Sequence, residues 1–226
     1  MTRAVLFDTE TTGLDPLTGD RVIEFAAIEL EGDLPTSRTF HRLIHPQRDI
    51  PEEATRIHGI TLERLRDAPR FEEVADDILA FLGDDPLIAH NAPFDFGFMN
   101  AELARMRLPA LDRARMVDTL VLAKARFPGM PNSLDALCRR FGIDLSERTS
   151  HNALLDCRLL AEVYVELTGG RQRGLGLADE DGQGAMPVAT YQATGPRTPR
   201  LVAPTEDELA AHEAFVGRLK EAVWKQ

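Results

Sequence analysis

Asp8 and Glu10 stand two residues apart in the stretch Phe7-Asp8-Thr9-Glu10-Thr11-Thr12-Gly13. The apolar run over residues 4–8 reads as a strand, and alternation along a strand puts positions i and i+2 on one face. Both carboxyls then point the same way at a strand end, at the edge of a sheet, where they repel unless a cation lies between them. The alternative is a pair of solvated loop acids. Asp156 is more telling. On the helix that begins near Ala153 it shares a stripe with Leu160, Val163 and Leu167, at helical spacing. A carboxylate on an apolar stripe must be neutralised, paired or bound to a metal, because desolvating it alone is costly; a buried Asp–Arg pair is the structural alternative. His151 falls in the turn before this helix, where a surface or capping histidine would also fit. Asp95 lies in the first turn of a helix begun by Asn91, a place where the macrodipole favours any acid.

Taken together, Asp8, Glu10, Asp95 and Asp156 offer oxygen donors with one histidine and no cysteine. That donor set suits Mg²⁺ or Mn²⁺ rather than zinc. Two such ions about 3.5–4 Å apart stabilise both the attacking and the leaving oxygen of a phosphodiester displacement. A histidine that takes the proton of the attacking water contributes on the order of 10²–10⁴ in rate. The chemistry expected is phosphodiester hydrolysis with His151 as general base.

The elements that must position these groups follow from periodicity. Residues 22–30 and 39–44 are β-rich, with Gly32, Asp33 and Pro35 marking the turn between them, so the first three strands form an antiparallel meander. Helical spacing covers 71–82 and stops at Gly83. A short strand over 87–89 precedes the helix that Asn91 caps, with Pro93 in its first turn. A strand over 116–118 leads into a helix, Ser133 caps another that ends at Gly142, and the last core helix runs over 153–168 before Gly169-Gly170. The pattern is an α/β mixed sheet, three antiparallel strands followed by α/β units, flanked by helices; it leaves the strand order open. Residues 171–204, with five glycines and four prolines, read as a flexible linker between a domain over 1–170 and a terminal helix over 205–226. Thr205 and Glu208 form a capping box. Leu209, Val216, Leu219 and Val223 then make one stripe, with Phe215 and Trp224 beside it. A lone amphipathic helix has no core of its own to cover; it folds back or docks on a partner, and docking is the reading adopted.

Composition sets bounds. In 226 residues, 43% hydrophobic content allows a real core, and no run of 18 apolar residues exists to span a membrane. A strand beginning almost at the first residue leaves no room for a signal peptide. Cys138 and Cys157 form no C-x-x-C pair, so two reduced thiols in a cytoplasmic protein are expected. The net charge of −11 argues against a chain that grips DNA tightly by itself. The charge is uneven: residues 1–104 carry nine Lys/Arg against 21 Asp/Glu, whereas residues 105–158 carry ten against six. The basic middle is either a phosphate-tracking surface or a set of solvated helix faces.

The three stretches Phe7–Gly13, His90-Asn91-Ala92-Pro93-Phe94-Asp95 and His151-Asn152-Ala153-Leu154-Leu155-Asp156 together resemble the motifs of the DEDDh 3′–5′ exonucleases, which have the ribonuclease-H-like fold. Three motifs in order, with His-x-Ala-x-x-Asp last, are highly specific. Within that family the chain is most similar to the epsilon (proofreading) subunits of bacterial DNA polymerase III, also through residues 127–129, 132–138, 159–164, 168–170 and 208–214. The resemblance spans nearly residues 3–170, lapses in the linker and resumes in the last helix. It implies that Asp8, Glu10 and Asp156 hold the ion that carries the attacking water, with Asp8 also touching a second ion that Asp95 supports through water. It implies that Thr9, Thr11, Thr12 and Asn91 lie against the terminal nucleotide at a DNA 3′ end, with Glu53 and His58 as further substrate contacts; by residue chemistry alone these last two look like ordinary surface residues. Gln172, Leu175 and Leu177 resemble a short sliding-clamp-binding peptide, with plain linker as the alternative. The terminal helix would bind the alpha subunit of polymerase III. A free-standing nuclease trimming RNA or single-stranded DNA is the competing enzyme reading, and a non-catalytic assembly subunit is the reading from another class.

Overall fold

A computed structural model of the chain describes residues 2–146, 148, 150–169 and 203–218. The chain divides into two units, residues 1–175 and 176–226. In the first, five strands form one mixed sheet in the order β3-β2-β1-β4-β5. Strand β1 (Arg3–Thr11) pairs antiparallel with β2 (Val22–Glu31), which pairs antiparallel with β3 (Leu34–Leu43). On its other side β1 runs parallel to β4 (Leu87–Ala89), and β4 parallel to β5 (Met116–Asp118).

The meander is present, but its turn is tighter than composition suggested. Glu31 faces Leu34, so only Gly32 and Asp33 lie between the strands, and Gly32 takes φ 63°. Glycine in that first loop position with positive φ suits the twist of a two-residue hairpin. Pro35, expected in the turn, sits inside β3 opposite Leu30. Because β3 is an edge strand, a residue without an N–H is tolerated there.

Alternation along β1 and β2 divides the core. Val5, Phe7, Phe25 and Ala27 pack with α2 (Phe71–Leu82) and α3 (Ala92–Arg105) on one face. Leu6, Ala26, Ile28 and Leu30 pack on the other with α5 (Leu134–Phe141), α6 (Ala153–Leu167) and Ala123 of α4 (Thr119–Arg126). Cys138 and Cys157 are buried and free within this second cluster. A further helix, α1 (Glu52–His58), was not anticipated; its seven residues end at Gly59 and leave only Ala54 and His58 buried. Asn91 begins α3 as expected but by another route. Its side chain makes no capping bond, and its backbone is left-handed, φ 63° and ψ 46°. Asparagine is favoured there because it tolerates that conformation.

The basic stretch 105–158 is committed to the fold in part. Arg115 donates to the carbonyls of Leu82, Gly83 and Asp85, and Arg126 to those of Glu166 and Leu167, closing the ends of α2 and α6. Arg140 donates to Pro131 and Asn132 and stacks over Phe127; Arg105 and Arg139 pair with Glu102 and Asp135. Arg115, Arg126 and Arg140 hold carbonyls and rings, whereas Arg105, Arg107, Arg113, Lys124, Arg139 and Arg158 are exposed, in keeping with solvated faces or a phosphate-tracking surface. Among the described residues no helix is long and apolar enough to cross a membrane. Residues 206–216 form α7 (Glu206–Val216), capped by the expected Thr205–Glu208 box, with Leu209 and Phe215 exposed and Val216 buried. Leu219, Val223 and Trp224 lie outside the described residues, as do Gln172, Leu175, Leu177 and nearly all of the linker.

Candidate active site

Strand β4 pairs with β1 only at Val5 and Leu6, so the second half of β1 is open on that side. The opening lies beyond the carboxyl ends of the parallel strands, where sheets of this kind take their ligands. Asp8 and Glu10 share a face there with Leu6, as alternation requires. The strand that carries them is third of five rather than an edge strand, and the early end of β4 leaves its second half unpaired on that side.

Helix α6 brings the opposing groups. Asn152 caps it through the Leu155 N–H (3.0 Å), and Asp156 in its first turn is 4% exposed. The start of α6 is pinned to β2 by Glu24, a fully buried residue directly opposite Glu10. Its carboxylate accepts from Asn152 Nδ2 (2.9 Å), the Ala153 N–H (3.1 Å) and His41 Nε2 (2.6 Å). His151 precedes the helix half-exposed; its N–H donates to the Ile57 carbonyl (3.1 Å), and its Nδ1 lies 3.2 Å from Asp156 Oδ2. Asp95 arrives from α3, buried, and accepts both the N–H (3.0 Å) and the hydroxyl (2.7 Å) of Thr9.

The five residues read from the sequence thus converge, and their carboxyls disturb one another. Burial, then Asp95, Glu10, Asp156 and Glu24, raise Asp8 well above the usual carboxylate range. Burial and the carboxylates of Asp156, Glu24 and Asp95 push Glu10 up to about 8, although Arg148 pulls it back somewhat. Burial raises Asp95 to about 7 despite the two Thr9 bonds. Asp156 alone moves down: burial would raise it, but the hydrogen bonds from Arg148, with His151 beside them, outweigh that. Arg148 spans both its oxygens, Nε to Oδ1 and Nη2 to Oδ2, each at 2.7 Å. The Asp–Arg pair set out as the structural alternative for Asp156 is therefore present. The site also fits a hard cation. Glu10, His151 and Asp156 each offer a ligand atom, all within 4.8 Å of one another, and the crowding of Asp8 and Asp95 is the repulsion that a divalent charge relieves.

Beside the carboxylates opens a cleft of about 530 Å³ lined by Thr9, Glu10, Thr11, Thr12, Glu53 and His58, with Leu14, Ile57 and Phe94 supplying apolar walls. The threonine hydroxyls are largely spent on the loop itself: Thr11 donates to the Gly13 carbonyl (2.6 Å) and Thr12 to Asp20 (3.1 Å). Gly13 is required by close approach, since a Cβ there would fall 2.2 Å from Asp20 Oδ2. Glu53 is exposed on α1, whereas His58 is buried, contrary to its reading as a surface residue. His58 Nδ1 accepts from the Ile60 N–H (3.0 Å), which places its proton on Nε2, a buried atom with no hydrogen-bond partner. Burial first, and His151 among the nearby charges, lower its pKa. Asn91 does not line the cleft; its N–H donates to Asp118 at the end of β5 (3.0 Å). Sequence reading missed Glu24, Arg148, Asp20 and the three apolar walls. Only Arg148 left a signal, through the demand that Asp156 be paired.

Residues 5–164 match the model of an exonuclease family, that of RNase T. The chain is 46% identical to the DNA polymerase III subunit epsilon of Rickettsia conorii, over 98% of each chain. It is 40% identical to the epsilon subunit of Escherichia coli, over 95% of this chain and 92% of that one. Among solved structures it is similar to exonuclease X in complex with 5′ overhanging duplex DNA, with TM-score 0.57 and 28% identity over 74% of this chain and 91% of the other. It shares the fold of the nuclease domain of 3′hExo, a DEDDh family member bound to rAMP, with TM-score 0.62 and 21% identity over 76% and 94% of the two chains. The chain belongs to this exonuclease family, as a DEDDh-type 3′–5′ exonuclease of the line of the bacterial DNA polymerase III epsilon subunits.

Proposed function

We propose that the protein removes nucleotides from a DNA 3′ end as the proofreading subunit of a replicative polymerase, with Asp8, Glu10, Asp95 and Asp156 as the ligands of two divalent ions and His151 as general base. The observation that carries this reading is the gathering of four carboxyls and one half-exposed histidine at the open end of β1, beside a cleft that Glu53 and His58 help to line. Bound Mg²⁺ or Mn²⁺ supplies charge for the attacking and leaving oxygens of the phosphodiester. Glu10 and Asp156 face each other across the site. Asp95 is held to Thr9 by two hydrogen bonds, a posture suited to contact through water rather than direct ligation. His151, anchored by its N–H and open to solvent on its ring, takes the proton of the attacking water. Leu14, Ile57 and Phe94 offer apolar surface to the terminal base and sugar, Thr9, Thr11 and Thr12 border it, and the Nε2–H of His58 is the donor without a protein partner.

In the same reading residues 1–170 are the catalytic domain, 171–204 a tether and 205–226 the segment that docks on the alpha subunit, with Gln172, Leu175 and Leu177 as a weaker clamp contact. Relatives 46% identical over 96–98% of this chain are epsilon subunits, which favours the polymerase-bound role over a free-standing nuclease. Asp8→Ala in the full chain tests the core of the proposal. It is expected to abolish Mg²⁺-dependent shortening of a 5′-labelled single-stranded DNA while the protein melts in chelator no lower than wild type, because the change removes a crowded carboxyl. Retained excision by that variant would overturn the assignment of the metal site.

A further inference from the structure

Arg148 holds two working side chains of the site at once. Its Nε and Nη2 donate to both oxygens of Asp156 at 2.7 Å, and Nη2 also lies 2.9 Å from His151 Nδ1. A guanidinium only donates, so Nδ1 is the acceptor of that contact. The remaining nitrogen, Nη1, donates to Asp135 at the start of α5. The side chain is only 9% exposed, whereas that of Asp135 is 38% exposed. A divalent ion coordinated by Asp156 would approach its oxygens to about 2.0–2.1 Å. It would then stand beside the guanidinium as a like charge on the same carboxylate.

We propose that Arg148 is a built-in competitor of the divalent ion: it latches Asp156 and His151, and the site takes up metal only as Arg148 leaves Asp156 for the single bond it keeps with Asp135. Arg148 is thus a positioning residue that sets the metal concentration at which the nuclease switches on. The inference rests on the assignment of Asp156 as a metal ligand. It is distinct from a purely structural ion pair, because a structural pair stabilises the protein without opposing the ion.

The test is Mn²⁺ binding by calorimetry to the full chain at fixed pH and ionic strength, with thermal melts in chelator and in Mn²⁺. Arg148→Gln is expected to bind Mn²⁺ about tenfold more tightly than wild type, about 1.4 kcal/mol, and to melt lower in chelator with the loss recovered on adding Mn²⁺. Arg148→Lys, which keeps the charge but cannot span both oxygens, is expected to fall between. Arg158→Gln removes the same charge from α6, two residues after Asp156 and without pairing with it, and is expected to change the affinity less than twofold. Unchanged or weaker binding by Arg148→Gln, or equal tightening by Arg158→Gln, overturns the latch while leaving the metal site standing. Wild-type protein that takes up no Mn²⁺ overturns the metal assignment and the latch together.

Discussion

Glu24 touches no atom expected to react, yet Glu24→Gln should impair both stability and excision. The wild-type carboxylate is fully buried and receives three donors: Asn152 Nδ2, the Ala153 N–H and His41 Nε2. Glutamine keeps one carbonyl oxygen and turns its NH₂ towards either Asn152 Nδ2 or the Ala153 N–H, neither of which can accept, so at least one is left unsatisfied. Each buried orphan costs about 1–3 kcal/mol, and bonds to a charged group are at the upper end of that range. Part of the cost is offset, because Glu24 also adds to the repulsion felt by Asp8 and Glu10. A net loss of about 2–4 kcal/mol is expected, which for a domain of this size lowers Tm by roughly 6–12 °C. Two of the three donors belong to the cap and first residue of α6, the turn that carries Asp156 and follows His151. Misplacing such groups by about 1 Å can cost on the order of 10²-fold in rate, so single-turnover excision should fall between about tenfold and a hundredfold at saturating metal. The assay is a melt in chelator beside a quenched-flow excision of single-stranded DNA. A variant that melts within about 2 °C of wild type and excises at the wild-type rate would refute the claim that Glu24 fixes the start of α6.

His151→Gln should slow single-turnover excision by about 10²–10⁴ and flatten its pH profile; an unchanged profile would remove His151 as the base. In chelator the protein should lose stability as pH rises from about 5 to 8.5. Glu10, pushed up to about 8, and Asp95, at about 7, keep protons in the folded chain that the unfolded chain has already released near its ordinary carboxylate values. That contribution is complete below about pH 4 and lost on passing pH 7–8, so a Tm that is flat or rising across this range contradicts the crowding. Deleting residues 205–226 should leave excision of single-stranded DNA intact and abolish co-purification with a polymerase; retained co-purification would place the dock elsewhere.

Local patterns carried most of the fold into view. Helix α2 and strands β4 and β5 begin and end where periodicity put them, because each is bounded by a residue that breaks it or by a capping side chain. Strand β3 started five residues earlier than expected, since a proline reads as a turn until one knows that its strand lies at the sheet edge. Helix α1 escaped because seven residues with two buried positions make no hydrophobic stripe. The same limit hid His58: a histidine one turn from solvent becomes a buried donor only through packing that α1 and β1 make together. Glu24 was invisible for a stronger reason. Two of its three partners are 128 and 129 residues away, and nothing in a β-rich run distinguishes an acid that will cap a distant helix.

Asp156 shows where reading from residues stops short in a different way. An acid on an apolar stripe demanded a partner, and two were available in principle, an arginine or a metal. They were set as alternatives because each alone satisfies the desolvation cost. Their placement makes them rivals for the same two oxygens, while Asp8, Glu10 and Asp95 have no arginine of comparable closeness and keep raised pKa values instead. The neutralisation is therefore lopsided. One carboxylate is discharged by a guanidinium and three are left to protonate or wait for a cation. A divalent ion gains most from the three and must contend for the fourth, so occupancy of the whole site turns on the single side chain that already has a second acid, Asp135, within reach.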